Sequence, residues 1–400
     1  MERAKVKTGP ILRGLGIFLI VLGVALNEWV IKGLSGGQAQ FAEVEKRVFL
    51  AVVELGLMAL GWAIYRYGRV VLVNLALVAF SVLLTLGGVE FALTRLPSNL
   101  EEEAPKWIPY AQKMANLRIN EVHEARARGN RHGFNDRDHA LKKAPGTWRI
   151  AVLGDSFVWG VGVEASVIWT RKLERIFNEN GYPCEILHWG KPGWSTLDQY
   201  HFLTTQGIDY EFDLLLVGFV VNDPMMDPEA NIKRFIYDGG LIDRVIVRPL
   251  SRYLFPNTIS LFVDLTNAFF DSHFGYGYAN WLKKVYSAEN LAKYQGQLDR
   301  LAGFCRERRI ELLIVMTPEN HHPSIRERFA QVIPMFQKAG IAYLDLYPAA
   351  HDRFRSIPNR KLWANPADGH PGDAMTDLYA WSAYRYLIGG GYLTKGKGEP

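Results

Sequence analysis

RIAVLGDSFVWGVG, residues 149–162, reads as a strand that ends in a serine. Ile150–Leu153 is a short apolar run, the length of a buried strand rather than of a helix. It breaks at Gly154-Asp155-Ser156. In an open α/β sheet, ligands gather outside the carboxyl ends of the strands. A serine presented there is a candidate nucleophile. Gly154, Gly160 and Gly162 also suit a phosphate-cradling loop, but neither a lysine nor the G-x-G-x-x-G spacing accompanies them.

From Trp148 onward strands and helices alternate, the pattern of a parallel sheet covered on both faces. The expected strands are Arg149–Leu153, Cys184–His188, Leu214–Val220, Glu311–Met316 and Ala342–Leu346. The expected helices are Ser166–Glu179, Thr196–Gln206, Ala288–Arg308, Ser324–Ala339 and Gly372–Ile388. The fold class is therefore α/β in three layers, α/β/α, over residues 148–390. Between residues 224 and 287 the alternation lapses into an aromatic-rich insertion. It reads as packed on the sheet's catalytic edge, either as extra core or as a lid or an acyl or sugar pocket.

The chain is 400 residues long, enough for more than one unit. Residues 1–95 are mostly apolar and contain three candidate transmembrane spans, Gly14–Ile31, Val48–Tyr65 and Val70–Leu93. A cleavable signal peptide is the competing reading of the first, but no small-x-small cleavage site follows it. Arg3, Lys5, Lys7 and Arg13, and the link Arg66-Tyr67-Gly68-Arg69, place the N-terminus and that link in the cytoplasm. Three spans then put the catalytic domain outside the membrane, and two spans would put it inside. Residues 96–147 read as a connector with a helix over Ala111–Arg128; linker composition does not explain its Arg131-His132-Gly133-Phe134 string. Leu34-Ser35-Gly36-Gly37-Gln38 looks like the signature loop of ABC ATPases, but there is no Walker A loop, so it reads as a turn. The net charge of +5 is partly this basic N-terminus, and no nucleic-acid partner is expected. Cys184 and Cys305 read as buried unpaired thiols.

A serine hydroxyl needs an adjacent base, a group that orients the base, and donors for the oxyanion. The base is expected at His370, within Asn365–Gly372 between the last strand and the last helix, with Asp368 two residues before it. His321 and His322 have no third ligand at metal spacing and read as solvated loop residues. His188 and His201 read as structural or peripheral. Gly193, after the second strand, permits close backbone approach. Asn222, after the third, supplies a side-chain amide. With the Ser156 N–H they make a three-donor oxyanion hole. No cofactor and no metal are expected.

These blocks resemble the SGNH/GDSL hydrolases: GDS at Gly154–Ser156, Gly193 after strand two, Asn222-Asp223 after strand three and Asp368-x-His370 late in the chain. GDSF and DGHP look like the branch of bacterial membrane-anchored members. The resemblance implies a flavodoxin-like sheet, Ser156 as nucleophile, Gly193 and Asn222 in the oxyanion hole, and His370 as base oriented by Asp368. His188 stands where many members have asparagine, and Ala367 stands where the acid usually lies. Val158 stands at the second glycine of G-x-S-x-G, which argues against the α/β-hydrolase elbow. The expected function is a multi-pass, membrane-anchored, extracytoplasmic serine esterase. It would act through an acyl-enzyme on small acyl esters, such as O-acetyl groups of a cell-surface glycan. Two alternatives are carried. One is an SGNH-type polysaccharide O-acyltransferase working with a membrane partner, since three spans are too few for an acyl-donor module. The other is a non-catalytic membrane assembly or glycan-binding protein, which the complete site set argues against.

Overall fold

The structure is a computed structural model that describes residues 9–27, 44–95, 129–227, 232, 242–365 and 368–394. The turn expected at 34–38, the helix expected at 111–128 and residues 366–367 lie outside the described residues. The chain divides into two compact units. One is Met1–Leu96 with Arg234–Phe269, and the other is Pro97–Lys233 with Phe270–Pro400.

The second unit is built on a five-stranded parallel sheet. Its strands are β1 (Trp148–Gly154), β2 (Cys184–Gly190), β3 (Leu214–Phe219), β4 (Glu311–Met316) and β5 (Ala342–Asp345). They lie in the order β2-β1-β3-β4-β5, the doubly wound order whose switch point is between β1 and β3. The sheet is buried on both faces, which is why its strands read as apolar runs. Ala151, Leu153, Leu215 and Val217 face one core with Phe202, Leu298 and Phe336 from the helices Thr196–Thr205, Ala288–Arg308 and Pro323–Ala339. Ile150, Val152, Leu214 and Leu216 face the other, with Leu173 and Phe177 of Trp169–Glu179 and Tyr379 and Ala383 of Asp373–Gly389. The alternation along each strand sends successive side chains to opposite layers.

The last two helices named are pinned together. Lys172 donates to the Asp373 carboxylate at 2.5 Å, the Asp377 carboxylate at 2.6 Å and the Thr376 hydroxyl at 3.0 Å. A small antiparallel hairpin follows the sheet, β6 (Trp363–Asn365) with β7 (Asp368–Pro371), and leads directly into Asp373–Gly389. Cys184 and Cys305 are buried and unpaired.

The expected connector ends earlier than residue 147. From Gly129 the chain already belongs to the packed structure, beginning with a bridge to Asn135. Phe134 is fully buried. His139 bonds Asp136 at 2.8 Å and Glu185 at 2.6 Å. Arg149 donates to Glu185 at 2.6 Å and to the carbonyls of Ala140 and Leu141 at 3.0 Å. Polar composition here marks a buried hydrogen-bonded network rather than a linker.

Among the described residues, the N-terminal part of the first unit holds the helices Pro10–Ala25, Val44–Tyr67 and Arg69–Arg95. Two of them, over Leu50–Tyr67 and Arg69–Arg95, are long and apolar enough to cross a membrane. The third has 16 residues, roughly 24 Å of helix against a bilayer core of about 30 Å. The span expected at 14–31 is described only as far as Asn27. Pro10–Ala25 and Val44–Tyr67 meet backbone to backbone, since a Cβ on Gly16 would lie 2.6 Å from the Gly61 carbonyl oxygen. Glu90 also finds its partner within this unit. Its carboxylate accepts from the Thr258 N–H at 2.8 Å, the Asn257 N–H at 3.0 Å and the Asn257 side chain at 2.7 Å. It thus caps the free N–H groups that open helix Pro256–Phe274. The insertion expected as one piece therefore divides. Arg234–Phe269 groups with the apolar helices, and the described residues from Phe270 group with the sheet, where Trp281, Val285 and Tyr286 join its core.

Candidate active site

β1 ends at Gly154, where a side chain has no room: a Cβ would lie 2.2 Å from Val158 Cγ2. The chain then turns into the short helix Ser156–Trp159 with Asp155 as its N-cap. Asp155 Oδ1 accepts from the Phe157 N–H at 2.9 Å, and Ser156 Oγ donates to Asp155 Oδ2 at 3.1 Å. The Ser156 side chain is buried at the sheet's switch point, and its own N–H is a first-turn donor that the helix leaves unsatisfied.

The other candidates arrive from adjacent strand ends. β2 pairs with β1 through Gly190 opposite Gly154, so the loop to Gly193 leaves the sheet beside the serine. Gly193 is exposed, and its N–H takes no hydrogen bond among the described residues. β3 runs into the turn Val221–Pro224. There Asn222 Nδ2 donates to the Trp194 carbonyl at 3.3 Å, and the nearby amide acts to lower the pKa of the Asp155 carboxyl. Asp223 is fully buried and holds this turn in place: it accepts from Gln199 Nε2 and the Val220 N–H, each at 2.6 Å. Burial raises the pKa of Asp155, against the Phe157 N–H and the charge of His370. Burial raises Asp223 further, and the nearby Asp155 adds to it.

His370 lies on β7. Its ring packs edge-on against Phe157 with centroids 5.7 Å apart, and its charge reaches both Asp155 and Glu319. The structure thus brings His370 to the residue that follows Ser156. The side chain of Asp368, expected to orient His370, lies outside the described residues.

Two further titratable residues interact electrostatically with this group. Glu319 follows β4 and is half-buried. Its carboxyl is pushed up to about 7 by burial, with His370 opposing and Asp155 adding to the shift. Its loop is pinned by the buried Tyr379 hydroxyl, which donates to the Pro318 carbonyl. Tyr278 opens helix Gly277–Val285 and stacks on Trp281 at 5.5 Å. Its side chain is partly exposed, and desolvation together with the charges of Glu319 and Asp155 raises the pKa of its hydroxyl. The aromatic segment after Phe270 therefore supplies core, through Trp281. Glu319 was findable by its place after a strand end, the same rule that picks out Ser156 and Asn222. Tyr278 gave no signal beyond its aromatic surroundings.

His188, His321 and His322 have structural partners. His188 is buried, bonds Thr170 Oγ1 through Nδ1, and is lowered to about 4 by burial. His321 corrects the expectation of a solvated residue: it is buried, and its Nε2 bonds the Ile357 carbonyl at 2.9 Å. His322 caps the helix Pro323–Ala339 by accepting from the Ser324 N–H at 3.2 Å.

No family model and no curated protein matches the chain. Among solved structures it is similar to a lipase/acylhydrolase from Enterococcus faecalis, at 16% identity and a TM-score of 0.37, over 62% of this chain and 98% of that one. It is similar to the acetylxylan esterase Axe2 from Geobacillus stearothermophilus, at 12% identity and a TM-score of 0.37, over 60% of this chain and 94% of that one. It is also similar to a putative lipolytic protein of the G-D-S-L family from Desulfitobacterium hafniense, at 11% identity and a TM-score of 0.36, over 60% of this chain and 99% of that one.

Proposed function

We propose that the chain is a membrane-anchored serine esterase that releases small acyl groups, such as acetyl, from a glycan outside the cytoplasmic membrane. The observation that carries this reading is the junction of Ser156, at the carboxyl end of the central strand, with His370, packed on the adjacent Phe157. In this mechanism the Ser156 hydroxyl turns about χ1 from Asp155 toward His370. Oγ attacks the ester carbonyl while His370 takes its proton. The oxyanion is received by the Ser156 and Gly193 N–H groups and the Asn222 amide. The alcohol leaves with the proton from His370, and water then enters by the reverse steps to release the acid. Asp368 orients His370. Anchoring is assigned to the three apolar segments of residues 1–95, with the sheet unit outside.

The test uses the full-length protein in detergent micelles with p-nitrophenyl acetate. Wild type should hydrolyse it, and Ser156→Ala and His370→Ala should fall to the uncatalysed rate. Equal rates in all three would overturn the serine mechanism.

A further inference from the structure

The sheet unit carries a cavity of about 150 Å³ beside the loop that holds Gly193. Its walls come from the Arg131–Phe134 string, from Lys191 and Trp194, and from the helix Thr196–Thr205. Trp194 is half-buried and packs edge-on against Phe134, with centroids 5.5 Å apart. Lys191 Nζ lies 5.5 Å from the Phe134 ring centre and 5.7 Å from that of Trp194. Its hydrogen bond goes to the His132 carbonyl at 3.3 Å, and it forms no ion pair among the described residues. The polar groups around it are fixed in advance. His132 bonds Gln206 at 2.8 Å and Tyr210 at 2.9 Å, and Asp198 accepts from the Ser195 N–H and hydroxyl, each at 2.9 Å.

The chemistry of this lining excludes several ligands. An acyl chain wants an apolar slot, yet His132, Lys191, Asp198 and Gln206 all line this one. A polyphosphate wants several cations, and here a single ammonium shares the cavity with a carboxylate. No group of three or more metal-ligating side chains occurs among the described residues. A pyranose ring fits: its apolar face suits an indole, and its hydroxyls suit rigid polar groups at the edge. Among the described residues, the ammonium held over two aromatic rings forms no ion pair, so it is placed to pair with an acid on the ligand.

We propose that this cavity is a subsite for a carboxylate-bearing sugar residue, seated against Trp194 with its carboxylate on Lys191. Its place in the reaction rests on the esterase reading above. Trp194 directly follows Gly193, and its carbonyl accepts from Asn222, so the loop that walls the cavity also carries one oxyanion donor and is tied to another. The subsite would make the substrate an acidic glycan.

Binding is measured on the full-length Ser156→Ala protein in micelles, by calorimetry with trigalacturonic acid and with neutral maltotriose. The acidic trisaccharide should bind roughly 10-fold or more tightly than the neutral one, as expected for one charge-assisted contact. Lys191→Met should weaken it by a similar factor, and Trp194→Ala should weaken both sugars. Lys191→Arg should retain binding, and equal melting temperatures of the two Lys191 variants would show that folding is intact. No binding of either sugar, equal binding of both, or binding indifferent to Lys191→Met would overturn the subsite. Hydrolysis of p-nitrophenyl acetate by wild type without sugar binding would sink the subsite and leave the esterase. Lys191-dependent binding without hydrolysis would do the reverse.

Discussion

The Phe157 ring meets the His370 imidazole edge-on, with centroids 5.7 Å apart. The residue after the nucleophile therefore packs on the candidate base, and one contact sets the spacing of two groups from distant parts of the chain. Phe157→Ala leaves the chemistry in place but frees the imidazole to move. Misplacement of about 1 Å costs up to roughly 100-fold in rate. We expect kcat on p-nitrophenyl acetate to fall about 10- to 100-fold with a smaller change in KM. An unchanged kcat would show that His370 is positioned by other contacts.

Asn222 Nδ2 donates to the Trp194 carbonyl, so it ties the turn after the third strand to the loop after the second. Removing one oxyanion donor typically lowers kcat by about 100- to 1,000-fold. Asn222→Ala should do this with little effect on KM, because the interaction is made in the transition state. A loss expressed only in KM would assign Asn222 to substrate binding instead.

Glu319 gives a pH signature. Its carboxyl is raised from 4.5 to about 7, first by burial, so the folded protein holds that proton more tightly than the unfolded chain does. The sign follows: ionising Glu319 costs folded-state stability, and the cost grows as pH rises from about 4.5 to 7. Glu319→Gln removes that cost. Melting temperatures of variant and wild type should agree near pH 4.5 and diverge by pH 8, the variant being the more stable. Once ionised, Glu319 faces His370 and favours the imidazolium formed when serine attacks. The pH–rate profiles of wild type and variant should therefore separate as pH passes about 7, where Glu319 ionises, and superimposable profiles would show that Glu319 does not act on His370.

Much of this was legible in the amino-acid sequence, for a physical reason. Parallel strands buried on both faces read as apolar runs, and the first residues of β2, β3, β4 and β5 fall where the runs begin. The β6–β7 hairpin was not legible, because Trp363–Asn365 and Asp368–Pro371 are too short and too polar to carry a period. Residues 129–147 read as linker because their burial is of polar groups, His139 between two carboxylates above all. His321 misled in the same way, since its burial is satisfied by the Ile357 carbonyl rather than by apolar neighbours.

The His139 cluster makes its own prediction. Burial lowers the His139 pKa, but the Asp136 and Glu185 carboxylates outweigh it, and the net shift is upward from 6.5. Its stabilisation is thus complete below 6.5 and is lost as pH rises through the raised value. Asp136 and Glu185 are lowered against their own burial, chiefly by hydrogen bonds to His139, from 3.8 and 4.5. Their contributions are present above those values and are lost on acidification. Breaking a buried pair costs about 3 kcal/mol, so His139→Asn should be destabilised by that order near pH 5.5. The deficit should shrink above pH 8. A deficit constant from pH 5 to 9 would show that His139 acts by packing alone.

The orientation of the sheet unit turns on one short helix. Pro10–Ala25 spans 16 residues and meets Val44–Tyr67 through Gly16 and Gly61. If the segment Gly14–Ile31 crosses the membrane as expected, three spans place the sheet unit outside. If it lies in the interface, two spans return the chain to the cytoplasm. Lys and Arg near the segment ends favour three, because Arg13 and the Arg66–Arg69 link then share the cytoplasmic side. Alkaline phosphatase fused after Ser98 should be active in a bacterial host, and a green fluorescent protein fused there should be dark. The opposite pair of results would place Ser156 in the cytoplasm and remove the cell-surface glycan from consideration. Gly16→Leu adds a test of the helix contact. A side chain at Gly16 has no room against the Gly61 carbonyl, so the helix pair should part and the melting temperature in micelles should fall.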